Sequence, residues 1–239
     1  MQPLVIKRSV LWGSIIVLIV ALICLRLGFW QLDRLQQRRA HNAALESRMR
    51  MPPVQLGALI SDSAGLVFRR VVLHGEFDDA HTVIIAGRSL RGVPGVHVLT
   101  PLRIGGTAVL VNRGWMPSAD AARINVDSIR EPGPRGLAAL ITPLPDSYGR
   151  GALPDTFQRV WYRMDGRHMI RQFPYPMLPF LAQILPYPNA PQYPIRLRPP
   201  EMDEGPHLGY AIQWFSFAII AIIGWIALAF RSTRRPPAD

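Results

Sequence analysis

Leu208–Phe230 runs for twenty-three residues without one charged side chain. As a helix it is roughly 34 Å long at ~1.5 Å per residue, enough to cross a hydrocarbon core of roughly 30 Å, and a soluble domain does not normally expose such a segment. Asp203 and Glu204 precede it, and Arg231, Arg234 and Arg235 follow. That bias predicts a cytoplasmic C-terminus over 231–239. A second apolar run is charge-free from Val10 to Leu25 and reaches spanning length at Trp30 if Arg26 snorkels to the interface. The rival reading of this first run is a cleaved signal peptide after Lys7 and Arg8. Arg26 to Trp30, however, offers no small-x-small cleavage site. Two spans, 10–30 and 207–230, put residues 1–9 and 231–239 in the cytoplasm and residues 31–206 outside it. A multi-pass protein of a bacterial inner (cell) membrane is the expectation.

The formal charge of +11 raises the question of a nucleic-acid partner. Between Gln31 and Pro206 there are 21 Arg against 15 acidic residues, a net of +6, and the other +5 flanks the apolar runs. Scattered charge of this kind suits anionic lipid and gives no phosphate-tracking groove, so no nucleic-acid partner is expected. Lys7 is the single lysine and Cys24 the single cysteine, the latter inside the first span. An intramolecular disulfide, a thiolate cluster and a CxxCH haem attachment are thereby excluded.

After Trp30 the sequence to Arg50 lacks Gly and Pro and spaces Leu32, Leu35, Leu45 and Met49 among charges, which predicts a helix stopped by Met51-Pro52-Pro53. From Leu66 to Trp115 the period falls to two, with Val71, Leu73, Val83, Ile85, Val96, Val98, Val109 and Val111 between glycine-bearing turns. This predicts an antiparallel meander. Further strands are expected over Leu137–Thr142, Arg159–Met164 and Tyr193–Arg198, and a short helix over Asp165–Phe173 capped by Asp165. Phe173–Pro200 carries nine prolines, which reads as an irregular strap and not a central strand, or else as a polyproline face for a partner. The fold class is thus an α+β membrane protein: two transmembrane helices flanking one antiparallel β-rich extracytoplasmic domain.

No GxSxG, HExxH, GxxxxGK[ST] or strand-borne GxGxxG is present, so no enzyme activity is expected. His74, His81 and His97 lie in the β region without a standard ligand spacing. A more suggestive set lies where both spans meet the outer interface. His207, Tyr210 and Trp214 sit at i, i+3 and i+7 of the second span, and Trp30 and Arg34 at i and i+4 closing the first. An imidazole there can ligate a planar metal-bearing group, rings can flank it, and Arg34 can pair with its carboxylates. Equally, Trp, Tyr and His at a headgroup boundary serve as interface anchors.

The segments LGFWQLDR, GEFDD, GRSLRGVPGVHVLTPL, VLVNRGWMP and HLGYAIQWF occur in this order. From about Leu27 to Trp214 the chain resembles the Surfeit locus protein 1 family of cytochrome c oxidase assembly factors. The resemblance implies a chaperone that helps place haem a in the largest oxidase subunit, with oxidase subunits, a haem a synthase and the lipid bilayer as partners. On it, His207 becomes the candidate iron ligand, with Tyr210, Trp214, Trp30 and Arg34 around the cofactor. Gly28, Gln31, Gly75 and the Asn112–Trp115 turn are the other matched positions. The alternative is a cofactor-free scaffold that docks nascent oxidase subunits through its β domain.

Overall fold

The computed structural model describes residues 8–57, 64–129, 131, 135–145 and 156–233. The expectations placed on Lys7, Arg234 and Arg235 lie outside them. The chain forms two compact units, one of Met1–Ala44 with Met202–Asp239 and one of Leu45–Glu201.

In the first unit, helix α1 (Arg8–Arg50) and helix α3 (His207–Thr233) are each long and apolar enough to cross a bilayer. α1 is a single helix of 43 residues, about 65 Å, so the apolar run to Trp30 and the polar helix predicted after it are continuous. Its end at Arg50, just before Pro52-Pro53, follows from the restriction that proline places on the residue before it and from its missing N–H. Only 11% of the most apolar window of either helix is buried. Leu18, Ile19, Ile220 and Ile223, among others, are exposed.

The second unit is built on a mixed sheet of nine strands among the described residues: β1 (Val54–Gln55), β2 (Arg70–His74), β3 (Glu76–Phe77), β4 (Val83–Leu90), β5 (Val93–Ile104), β6 (Thr107–Pro117), β7 (Arg135–Pro143), β8 (Val160–Trp161) and β9 (Met177–Ile184). The order is β1-β2-β7-β9-β6-β5-β4-β8, with β3 also on β5. The meander β4-β5-β6 is antiparallel as the alternation indicates, but the sheet as a whole is not. β1/β2, β4/β8 and β6/β9 pair in parallel, which corrects the expected all-antiparallel architecture. Parallel neighbours are joined by long connections, and alternation within a strand carries no information about them.

The Pro-rich tract supplies the larger correction, because β9 lies at the centre of the sheet between β7 and β6. Pro179 is tolerated because the β6/β9 ladder shifts register between Ala108 and Leu110, leaving the proline exposed at an irregularity where no donor is needed. The strands expected over Arg159–Met164 and Tyr193–Arg198 shrink to Val160–Trp161 and a single bridge, Trp115 to Ile195. Helix α2 (Gly166–Arg171) forms as expected, with the Asp165 carboxylate accepting from His168 N.

Both faces of the sheet are buried. Val109, Val111, Phe180 and Ala182 pack with Val71, Leu73 and Ile141 on one face. Leu110 and Leu181 turn the other way, toward Val83, Ile85, Trp161, Phe173 and Met169 of α2. At the edge of the second cluster the Asp78 carboxylate accepts from Tyr175 OH and from His81 Nδ1, each at 2.8 Å. Burial opposes ionisation of Asp78, but these two bonds prevail and hold its pKa below the ordinary value.

Asn112-Arg113-Gly114-Trp115 is not a turn but the kinked middle of β6. The β5/β6 register slips there, leaving Arg113 as the extra residue of a bulge. Its guanidinium, fully buried, donates to Asp79 (3.0 Å), lies 3.0 Å from Glu131 and 4.6 Å from the Phe77 ring centre, and also reaches Ile129 O. Arg196 holds the same Glu131 at 2.7 and 2.9 Å and donates to the Arg113 carbonyl. Gly114 adopts φ +129°, and a Cβ there would stand 2.2 Å from Ile195 O. Gly75 is likewise confined, by Arg103 O at 2.3 Å from the same construction.

Gly114→Ala is expected to cost at least about 2 kcal/mol, through strained φ and backbone overlap together, read as a lower thermal midpoint of the detergent-solubilised protein. A pH dependence centres on His97, which faces Ile85 and Trp115 across the sheet. Burial first, and then the nearby Arg88, push its imidazole down to about 4. The unfolded chain titrates near ~6.5, so this contribution is complete above about pH 6.5 and is lost as pH falls toward 4. His97→Gln should flatten thermal midpoints measured between pH 7 and pH 4.5, removing a dependence on the order of 2 kcal/mol.

Candidate functional site

Helices α1 and α3 meet along a seam repeating at alternate steps of four and three. On α1 it is Val17, Ala21, Cys24, Gly28, Gln31 and Leu35, and on α3 His207, Ala211, Trp214, Ala218, Ala221 and Trp225. That period belongs to helices crossing at a shallow angle, and small residues permit close approach. Ala21, Cys24 and Ala218 form a buried cluster with Trp214 against it. A Cβ on Gly28 would fall 2.5 Å from the Phe215 ring. Trp225 Nε1 donates to Ser14 Oγ at 2.9 Å, Phe215 packs edge-on to Phe29 at 5.3 Å, and Glu204 pairs with Arg39. The helices therefore run antiparallel, with His207 level with Gln31.

His207 Nδ1 lies 2.8 Å from Gln31 Oε1. An amide oxygen has lone pairs and no proton, so Nδ1 donates to it, and in the neutral imidazole this leaves the lone pair on Nε2, the nitrogen that can ligate. The segment before His207 is clasped to α1. Asp203 O accepts from Arg38 Nε (3.3 Å) and Asn42 Nδ2 (3.1 Å), and the Glu204 carboxylate accepts from Arg39 Nε at 2.9 Å and Nη2 at 2.8 Å. The hydrogen bonds from Arg39 hold the Glu204 carboxyl below its ordinary pKa. Gly205, at φ +72°, turns the chain into α3, and a Cβ there would sit 3.3 Å from the His207 ring.

Of the residues singled out in the sequence, His207 and Trp214 lie on the seam. Tyr210 and Trp30 are exposed beside it, at 47% and 44%, and the Arg34 guanidinium stands 5.6 Å over the Trp30 ring. Arg34 and His207 line one open recess of ≈ 370 Å³, together with Gln37, Arg38 and His41. Arg38 and His41 were not singled out, although their spacing from Arg34 puts them on its face of α1. Elsewhere, His74, His81 and His97 do not converge, and among the described residues no three His, Cys, Asp or Glu groups gather as a metal site.

A model of the SURF1 family matches residues 18–219, which take in the seam from Ala21 to Leu35 and from His207 to Ala218 and all of the sheet. The chain belongs to the SURF1 family. SURF1-like proteins of Caenorhabditis elegans and Monosiga brevicollis are each 27% identical to it, over 92% and 90% of this chain and 75% and 87% of their own lengths. A SURF1-like protein of Rickettsia felis is 26% identical over 89% of this chain and 95% of its own.

The seam gives this SURF1-family chain a sensitive position at Gly28. Gly28→Leu forces Phe215 aside and is expected to cost about 1–3 kcal/mol, a fall of several degrees in the thermal midpoint in detergent, while Gly28→Ala falls between that variant and the wild type.

Proposed function

We propose that this SURF1-family protein is anchored in a bacterial inner membrane by α1 and α3, with its β domain outside, and serves the assembly of cytochrome c oxidase by transient haem a binding and handover, without enzymatic activity. The membrane reading is supported by two long apolar helices that leave nine-tenths of their most apolar windows uncovered. Oxidase subunits and a haem a synthase are its partners on this reading.

The observation that carries the cofactor reading is the 2.8 Å contact between His207 and Gln31. A histidine ligand to iron needs one ring nitrogen free and the other oriented by a hydrogen bond, and Gln31 supplies that orientation from a buried seam position. The residues fit the group in other respects. Trp30 and Tyr210 offer exposed rings, and Arg34 a guanidinium within the same recess as the imidazole. The haem, when bound, supplies an electrophilic iron and two carboxylates. The chain's own residues then act as one-sided ligand, aromatic wall and charge partner. One imidazole on an open recess suits a carrier that must release its cargo.

Co-expression with a haem a pathway, purification and absorption spectra test this. His207→Ala should lose the bound haem, whereas Gln31→Leu, which keeps the ligand but frees its ring, should weaken retention about tenfold or more. An unchanged haem load in His207→Ala would remove His207 from the site.

A further inference from the structure

We infer that the recess beside His207 is an oxyanion subsite, taking the carboxylate or phosphodiester of an amphiphile seated at the outer membrane interface. This deepens the reading above and rests on it for the membrane level of the site, though not for iron ligation.

The lining is chemically one-sided. Arg34 and Arg38 contribute two guanidinium groups, His41 an imidazole and Gln37 an amide, with His207 at the border, and among the described residues no carboxylate lines the recess. The nearby acids each already accept a hydrogen bond. Glu204 is bound in both directions by Arg39, Asp33 accepts from Gln37 Nε2 at 2.8 Å, and the Asp203 carboxylate accepts from Gly205 N at 2.9 Å. Arg34 and Arg38 are therefore like charges four residues apart on one helix face, an arrangement that repels. An oxyanion between them converts that repulsion into charge-assisted hydrogen bonds.

The donors are also held in position. Arg34 is fixed by stacking 5.6 Å over Trp30 and by donating through Nη1 to Gln37 Oε1 at 2.9 Å. Arg38 spends Nε on the Asp203 carbonyl at 3.3 Å, which anchors the planar group while its two terminal nitrogens make no hydrogen bond among the described residues. Residues 34, 37, 38 and 41 fall at i, i+3, i+4 and i+7, a two-turn polar stripe on α1 that carries two guanidinium groups. Just below it the helix becomes apolar, with Trp30 and Phe29 exposed. A ligand with an anionic head and an apolar body matches both halves of that surface.

The two sources of the oxyanion are separated by the amphiphile around the protein. In micelles of a maltoside detergent, which carries no phosphate or carboxylate, metal-free protoporphyrin IX is titrated by fluorescence against its dimethyl ester. The diacid should bind about tenfold more tightly, the effect of one hydrogen bond to a charged group, and Arg38→Gln should remove that advantage. His41→Gln, whose side chain holds no other contact of the clasp, should reduce it too, so a loosened clasp in Arg38→Gln cannot account for the result. His207→Ala should keep it, since no iron is present. Failure of the iron assignment therefore leaves this outcome standing.

In the second arm, phosphatidylglycerol is added to the same phosphate-free micelles and native mass spectrometry counts retained lipid. Retention by the wild type and not by Arg38→Gln assigns the recess to phosphodiester headgroups. If neither the diacid nor phosphatidylglycerol distinguishes the wild type from an Arg34→Gln, Arg38→Gln double variant, the subsite does not exist.

Discussion

Close approach of two helix backbones is the constraint from which the candidate site follows. Ala21, Cys24 and Gly28 on α1 and Ala211 and Ala218 on α3 are too small to hold the helices apart. Both helices are apolar nearly all round, so hydrophobicity alone does not select a face and packing of this kind decides which faces meet. Once that register is set, Gln31 stands opposite His207 and orients its ring through Nδ1. The clasp at Arg39 and Glu204 adds little by itself, since both side chains are half exposed. Its contribution is to define where α3 starts.

The β unit solves a different problem, that of placing charge inside a sheet with two buried faces. A bulge in β6 turns Arg113 into the interior, where Asp79, Glu131, Ile129 O and the Phe77 ring receive it. A buried guanidinium without such partners would be strongly destabilising, and with them it specifies one arrangement of the surrounding loops. Gly114 next to it, and Ile195 against that glycine, leave room for only one backbone path.

Local features of this fold were legible because they obey local rules. The apolar lengths around Val17 and Ile219, the stop at Pro52, the Asp165 cap and the alternation in β4 to β6 are each set within a few residues. β9 was hidden because Pro174, Pro176 and Pro179 argue against a strand, and only the register shift opposite Ala108 makes room for one. The parallel partners of β2, β4 and β6 are equally invisible to periodicity, since pairing across long connections depends on which faces are left to bury. In the site, the helical spacing of His207 and Trp214 predicted a shared face correctly, and Tyr210 at i+3 falls off it because the seam follows steps of four and then three. The link from His207 to Gln31 spans 176 residues, and no spacing rule reaches that far.

Glu131 is gripped by two arginines that lie 83 residues apart in the chain. Because Arg196 also donates to the backbone of Arg113, the strap through Ile195 and the kink in β6 share one acid as a common rivet. Loosening of either piece strips a counter-charge from the other, so the two should open together or not at all. A stretch of chain with a single β-bridge of its own is thereby made as hard to detach as the strand it leans on.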